Sequence, residues 1–123
     1  MEIREEVIAS CVEDRHKAFV QLHEYSKHNF VDSYKAAQIK RIYQQAYLKA
    51  VHENAIVLFR VTDFYEVFFE DAYITSEVLG ITMSNRFLIH PVRLPFSGFP
   101  AHALDTYLPQ LVRAGYRVVI EEE

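Results

Sequence analysis

Ile56-Val57-Leu58-Phe59-Arg60-Val61-Thr62-Asp63-Phe64-Tyr65-Glu66-Val67-Phe68-Phe69 is the stretch around which the chain is organised. Its first part, residues 56–61, is a short apolar run rich in β-branched residues, the pattern of a buried strand. Thr62-Asp63 interrupts that run. The second part, residues 64–69, is apolar and aromatic with one embedded acid. If it is also extended, period 2 places Phe64, Glu66 and Phe68 on one face and Tyr65, Val67 and Phe69 on the other. A carboxylate between two aromatics on a packed face is costly unless it is paired. The reading that avoids this cost puts Phe64 and Glu66 at the strand's start, pointing outward together. An exposed Phe beside an acid is a candidate contact site.

Working outward, residues 70–79 read as a helix with acids in its first turn, where the helix dipole favours them. Residues 81–86 and 92–96 read as strands, with 85–91 between them as a candidate hairpin connection. Residues 101–114 form the clearest helix, with Leu104, Tyr107, Leu108 and Leu111 at i, i+3, i+4 and i+7. Pro109 removes one backbone donor inside it, and Gly115 suits its C-terminal cap. Residues 117–121 read as the last strand. Upstream, residues 3–28 read as an amphipathic helix through Ile3, Val7, Cys11, Ala18, Phe19 and Leu22. Residues 29–33 break it, and Asp32 or Ser33 caps a second helix over about 34–52. Ile39, Ile42, Ala46 and Ala50 form the apolar stripe of that helix. Lys35, Lys40, Arg41 and Lys49 give it a basic side, read as a solvated face ahead of a phosphate-contacting one. The expected fold is α/β (α+β), a mixed β-sheet flanked by helices, over residues 34–123, preceded by an N-terminal helical extension over residues 1–33.

At 123 residues the chain has the length of one domain, and 50% hydrophobic content lets it bury a core. Its start is too charged for a signal peptide, and no apolar run approaches the ~20 residues that span a bilayer. A lone Cys11 leaves no intrachain disulfide and fits a reducing cytoplasm. The net charge of −4 is the opposite of an autonomous DNA binder's basic balance. Either the chain does not hold DNA alone, or it adds recognition while another domain or protein holds the duplex. There is no Gly-x-x-x-x-Gly-Lys-Ser/Thr phosphate loop, which excludes a nucleotidase of that type. His23 and His28 at i, i+5 do not share a helix face, and His16 with His23 makes only two ligands. Cys11 and His16 lack a third member. No catalytic residue, metal or cofactor is assigned. The carboxylates Asp63, Glu66 and Glu70 leave a metal-dependent nuclease as a rival, without a Lys at a persuasive spacing.

Asp63-Phe64-Tyr65-Glu66, Glu70-Asp71-Ala72, Leu79-Gly80-Ile81-Thr82-Met83-Ser84-Asn85-Arg86 and Pro95-Phe96-Ser97-Gly98-Phe99-Pro100-Ala101-His102-Ala103 follow one another at a family-specific spacing. Through them, roughly residues 40–123 resemble domain I, the mismatch-recognition domain, of the MutS DNA mismatch repair proteins. The resemblance implies a noncatalytic module for mispaired or distorted double-stranded DNA, with ATP binding only in other domains of the family. It implies that Phe64 enters the minor groove and stacks on a mispaired base. An inserted ring unstacks a base step at a cost of about a few kcal/mol, less where pairing is already poor. Glu66 then bonds the mispaired base, and its repulsion from phosphates makes it a discriminator rather than an anchor. Thr62 and Asp63 shape the turn that presents Phe64. The family usually has Gly where Thr62 stands, and a positive φ is costly for a β-branched residue. Gly98, with Pro100 and His102, belongs to the family's turn and is read as structural. Arg86 is the implied DNA-backbone contact; its neighbour, often basic in the family, is Asn85 here, and Asn85, Arg93 and His90 are candidates to line the same DNA-binding edge. Implied partners are mismatched DNA and other MutS-type domains, with self-association through residues 3–28 as a further candidate and no membrane. The rival reading is a protein-interaction or oligomerisation module that kept the fold and lost DNA reading.

Overall fold

A computed structural model describes residues 5–89 and 92–122; Ile3 and His90, named above, lie outside the described residues. The elements run α1 (Glu5–His28), α2 (Ser33–Val51), β1 (Ala55–Val61), β2 (Phe64–Phe68), α3 (Glu70–Leu79), β3 (Met83–Ile89), β4 (Val92–Pro100), a 3-10 turn (Ala101–Ala103), α4 (Leu104–Arg113) and β5 (Arg117–Glu121). The strands form one sheet in the order β3-β4-β2-β1-β5. β1 and β5 run parallel and the other pairs antiparallel, so the sheet is mixed as expected.

Strand alternation sorts the core into two layers. Val57, Phe59, Phe68 and Leu94 pack with Cys11, Ala18 and Leu22 of α1 and Ile42 of α2. Ile56, Leu58, Tyr65, Val67 and Phe99 pack on the other face with Ile74 of α3 and with Leu104 and Tyr107 of α4. β1 is covered on both faces, which is why its sequence is a continuous apolar run. The helix read as an N-terminal extension thus shares one core with the sheet. Asp32 caps α2 as expected, accepting from the Lys35 backbone N–H at 2.8 Å.

The strands differ from expectation at one corner. β3 begins at Met83 and runs to Ile89, and β4 runs on to Pro100. Gly98, expected in a turn, is a strand residue opposite Glu66. A Cβ there would lie 2.8 Å from the Tyr65 carbonyl oxygen, so Gly98 is where β2 and β4 approach too closely for a side chain. Pairing with β2 overrides the local turn character of Pro, Ser and Gly.

Where β2 hands over to α3, the backbone turns through Phe69, at φ 58° and ψ −133°. β1 would lose a ladder partner at this point. The buried Asp71 carboxylate replaces it, accepting the Val57 N–H at 3.0 Å and the Lys49 ammonium at 2.6 Å. Beside it, Gln45 donates to the Phe68 carbonyl and to Glu70, and Arg15 of α1 pairs with Glu70. Lys49 therefore belongs to the inner side of α2, not to the solvated face its charge suggested. The acids of the first turn of α3 do more than meet a helix dipole: they tie α1 and α2 to the sheet. Burial pushes the Asp71 carboxyl up to about 6, against the opposing pull of Lys49.

The β1–β2 connection has two residues, since Val61 pairs with Phe64. Thr62 takes φ 53°, while Asp63 is not among the positive-φ residues. This is the sign pattern of a type II′ turn, whose first central position favours Gly. The strain on a β-branched residue is about 1–2 kcal/mol. Thr62 is held there from both sides. Its carbonyl accepts from Arg60 Nε at 2.6 Å, and its hydroxyl donates to the Val61 carbonyl at 2.7 Å. The Asp63 carbonyl accepts the Ala101 N–H at 2.7 Å, which anchors the turn to the end of β4.

Two measurements check these points. Thr62→Gly is expected to stabilise the fold by about 1 kcal/mol, read as a higher urea midpoint at unchanged slope. Asp71→Asn keeps an acceptor for Val57 and removes the titration. Between pH 3.8 and about 6 the native wild type holds a proton that the unfolded chain has released. Its stability relative to the Asn variant is therefore highest below that window. It is expected to fall by about 3 kcal/mol as pH rises through the window.

Candidate nucleic-acid interface

Along one face of β2, exposure falls stepwise: Phe64 is 50% exposed, the Glu66 side chain 16% and Phe68 4%. The cause is the cover of helices. Phe68 lies within the core shared with α1 and α2. Glu66 lies under the first half of α2, where Gln38 and Arg41 line a small cavity with Glu66, Phe68, Arg86 and Leu94. Phe64 stands at the tip of the hairpin. Of the other phenylalanines of β1, β2, β4 and the β2–α3 junction, Phe59, Phe68, Phe69 and Phe99 are buried and Phe96 is half-buried.

Glu66 does not share Phe64's exposure, as the alternation alone suggested. It is paired: Arg86 Nη1 lies 3.4 Å from its Oε2. The Arg86 guanidinium also sits 4.5 Å from the centre of the Phe96 ring, a stacking contact that holds it over β4. Phe64, Glu66, Thr82, Ser84, Phe96 and Gly98 line an open cleft of about 300 Å³ beside this pair. The cleft joins aromatic rings and a carboxylate, and the Arg86 cation reaches its wall through Glu66 and Phe96.

The structure brings Phe64, Glu66 and Arg86 together and leaves Asn85 apart. Asn85 pairs with Pro95 and Arg86 with Leu94, so successive side chains point to opposite faces of the sheet. Asn85 is exposed on the face away from Glu66, and Arg93 shares that side. Thr62 and Asp63 form the turn below Phe64, as expected. Pro100 pairs with Phe64 across β4, and His102 is exposed beside Arg60 and Asp63 in a second open cleft. Sequence reasoning missed Phe96, Gln38 and Arg41. The only hint was the basic side of α2, and no local pattern reveals that its first half lies over Glu66.

As chemistry, the cleft offers stacking, hydrogen bonding and ion pairing. The carboxylates of the nuclease rival diverge: Asp63 is at the turn, Glu66 is paired with Arg86, and Glu70 is buried with Arg15. Among the described residues, no group of three or more His, Cys, Asp or Glu is placed to hold a metal. Burial pushes the Cys11 thiol up to about 12, far from the range of a reactive thiolate. Among the described residues, no helix is long and apolar enough to cross a membrane.

Comparison with known proteins meets this geometry. A family model described as MutS domain I matches residues 39–123. The DNA mismatch repair protein MutS of Phocaeicola vulgatus is 58% identical over 73 residues, which cover 59% of this chain and 8% of that protein. The MutS of Porphyromonas gingivalis gives the same identity and cover. That of Desulforamulus reducens is 47% identical over 76 residues, 62% of this chain and 9% of that protein. The chain thus spans less than a tenth of the length of these curated relatives. With an exposed ring on the turn, an acid two residues on, and a family match over most of its length, the chain belongs to the MutS domain I family.

Proposed function

We propose that this chain is the mismatch-reading module of a DNA mismatch repair protein, noncatalytic by itself and cytoplasmic. Phe64 wedges into the minor groove at a mispaired or distorted step, and Glu66 bonds the mispaired base. The observation that carries the reading is the half-exposed Phe64 ring at the hairpin tip, next to a Tyr65 that is buried. A large apolar ring left in water on a strained turn has no packing purpose in this fold. A stacked base gives it one. The selectivity follows from the wedge itself, because a poorly paired step is cheaper to open than a paired one.

The net charge of −4 fits a division of labour. Phosphate contacts supply most nonspecific affinity, and this chain offers few. Other domains of a longer repair protein hold the duplex and bind ATP, and this one reads it. A second reading, a protein-contact role, is favoured by one observation. Ile8, Val12 and Val20 of α1 and Tyr47 and Val51 of α2 are exposed on the outer side of the helical layer. That face is available to another MutS-type domain or a second copy without touching Phe64.

Anisotropy titrations of labelled duplexes with and without one mispair, at low salt, test the proposal. The wild-type chain is expected to bind weakly, with a preference for the mispaired duplex that fades as salt rises. Phe64→Ala is expected to lower affinity for the mispaired duplex roughly tenfold, the scale of one lost base stack. Equal affinities for the two duplexes, or an unchanged preference in Phe64→Ala, overturn the wedge and leave the protein-contact reading.

A further inference from the structure

Two ion pairs in this molecule have opposite characters. Lys49 and Asp71 are locked: the carboxylate is fully buried and the pair is 2.6 Å apart. Arg86 and Glu66 are loose: 3.4 Å apart, with side chains 37% and 16% exposed. A locked pair is expensive to open, because separation leaves a buried charge alone. A partly exposed pair at long distance contributes little stability, so exchanging its partner is cheap. The acid of the loose pair lines the cleft beside Phe64, and the pair together lines the small cavity under α2. Its cation rests on Phe96, which keeps the guanidinium on the surface when the carboxylate lets go.

We propose that Arg86 is a specificity-determining residue that couples base reading to phosphate binding. The proposal rests on the wedge reading of Phe64 and Glu66. In the free chain Arg86 neutralises Glu66. Against perfectly paired DNA the bases stay stacked and offer Glu66 no bond. Releasing Arg86 there leaves a mostly covered carboxylate unpaired beside phosphates, so the pair stays closed and Arg86 contributes no phosphate contact. At a mispaired step the base takes over Glu66, and Arg86 is freed to meet a backbone phosphate. The two gains come together, which makes the preference larger than the base contact alone supplies. The Glu66 carboxylate therefore discriminates in two ways: it bonds the base, and it withholds a cation from the wrong DNA.

The test is the salt dependence of binding, since each phosphate contact adds about 0.9 to the slope of log affinity against log salt on duplex DNA. Four proteins are compared with wild type on mispaired and matched duplexes: Glu66→Gln, Arg86→Gln, the double variant and Phe64→Ala. Wild type is expected to show a slope steeper by about 0.9 on the mispaired duplex than on the matched one. Glu66→Gln is expected to raise both the matched-duplex affinity and its slope, because Arg86 is no longer held. In the double variant that rise disappears, and Arg86→Gln alone makes the two slopes equal. If Arg86→Gln unfolds, Glu66→Gln alone still decides, since it must steepen the matched-duplex slope. The coupling is overturned if Glu66→Gln leaves that slope unchanged, or if its effect persists in the double variant. The wedge has its own readout: a mismatch preference that survives Phe64→Ala overturns the wedge whatever the slopes do. A wild type that binds neither duplex overturns both.

Discussion

The buried contact of Asp71 with Lys49 and the Val57 amide is the constraint on which the arrangement rests. A strand interior to a sheet must have its amides satisfied, because an unpaired buried N–H is costly. β2 ends at Phe68, one residue before the chain turns into α3, and β1 continues past it. The Asp71 carboxylate supplies the missing acceptor, and Lys49 from α2 makes its charge tolerable. Glu70, one residue earlier, reaches Arg15 of α1 and Gln45 of α2. Both helices of one layer are thereby fixed at the same junction, by side chains that apolar packing alone does not specify.

The position of the helical layer then determines what the site looks like. α1 and α2 cover the far end of the β2 face and leave its near end bare. Phe68, Glu66 and Phe64 share one face and differ only in how much helix lies above them. The core residue, the paired acid and the exposed ring are three points on one gradient. The strained Thr62 turn places the bare end at the tip of a hairpin, and Gly98 allows β4 to lie close enough to brace it. Strain at a presenting turn, tolerated because the surroundings fix it from both sides, is common where a fold holds a contact residue in place.

Much of this was legible in the chain. The continuous apolar run of β1, the alternation in β2, the helix before Gly80 and the cap at Asp32 follow from local rules, and the structure has them. The candidate site was legible as residue types: a ring and an acid on one face, and an arginine on a strand that β4 separates from β2. The sequence groups Asn85 with Arg86 as neighbours, yet adjacency on a strand means opposite faces. The resemblance puts Gly98 in a turn, yet β2 pairs with it there. A lysine on the polar side of a helix reads as solvated, and the acid that draws Lys49 inward lies 22 residues away.

The amino-acid sequence by itself determined the order of elements, the phase of each strand and the identity of the ring and acid at the turn. It could do so because backbone periodicity and turn chemistry act within a few residues. Tertiary structure decided which end of the β2 face stays bare, that Arg86 holds Glu66 over Phe96, and that Lys49 and Arg15 point inward. Those outcomes depend on which distant helix lies over which strand. That is settled by burying charge only where it finds a partner, a condition no short stretch of the chain can express.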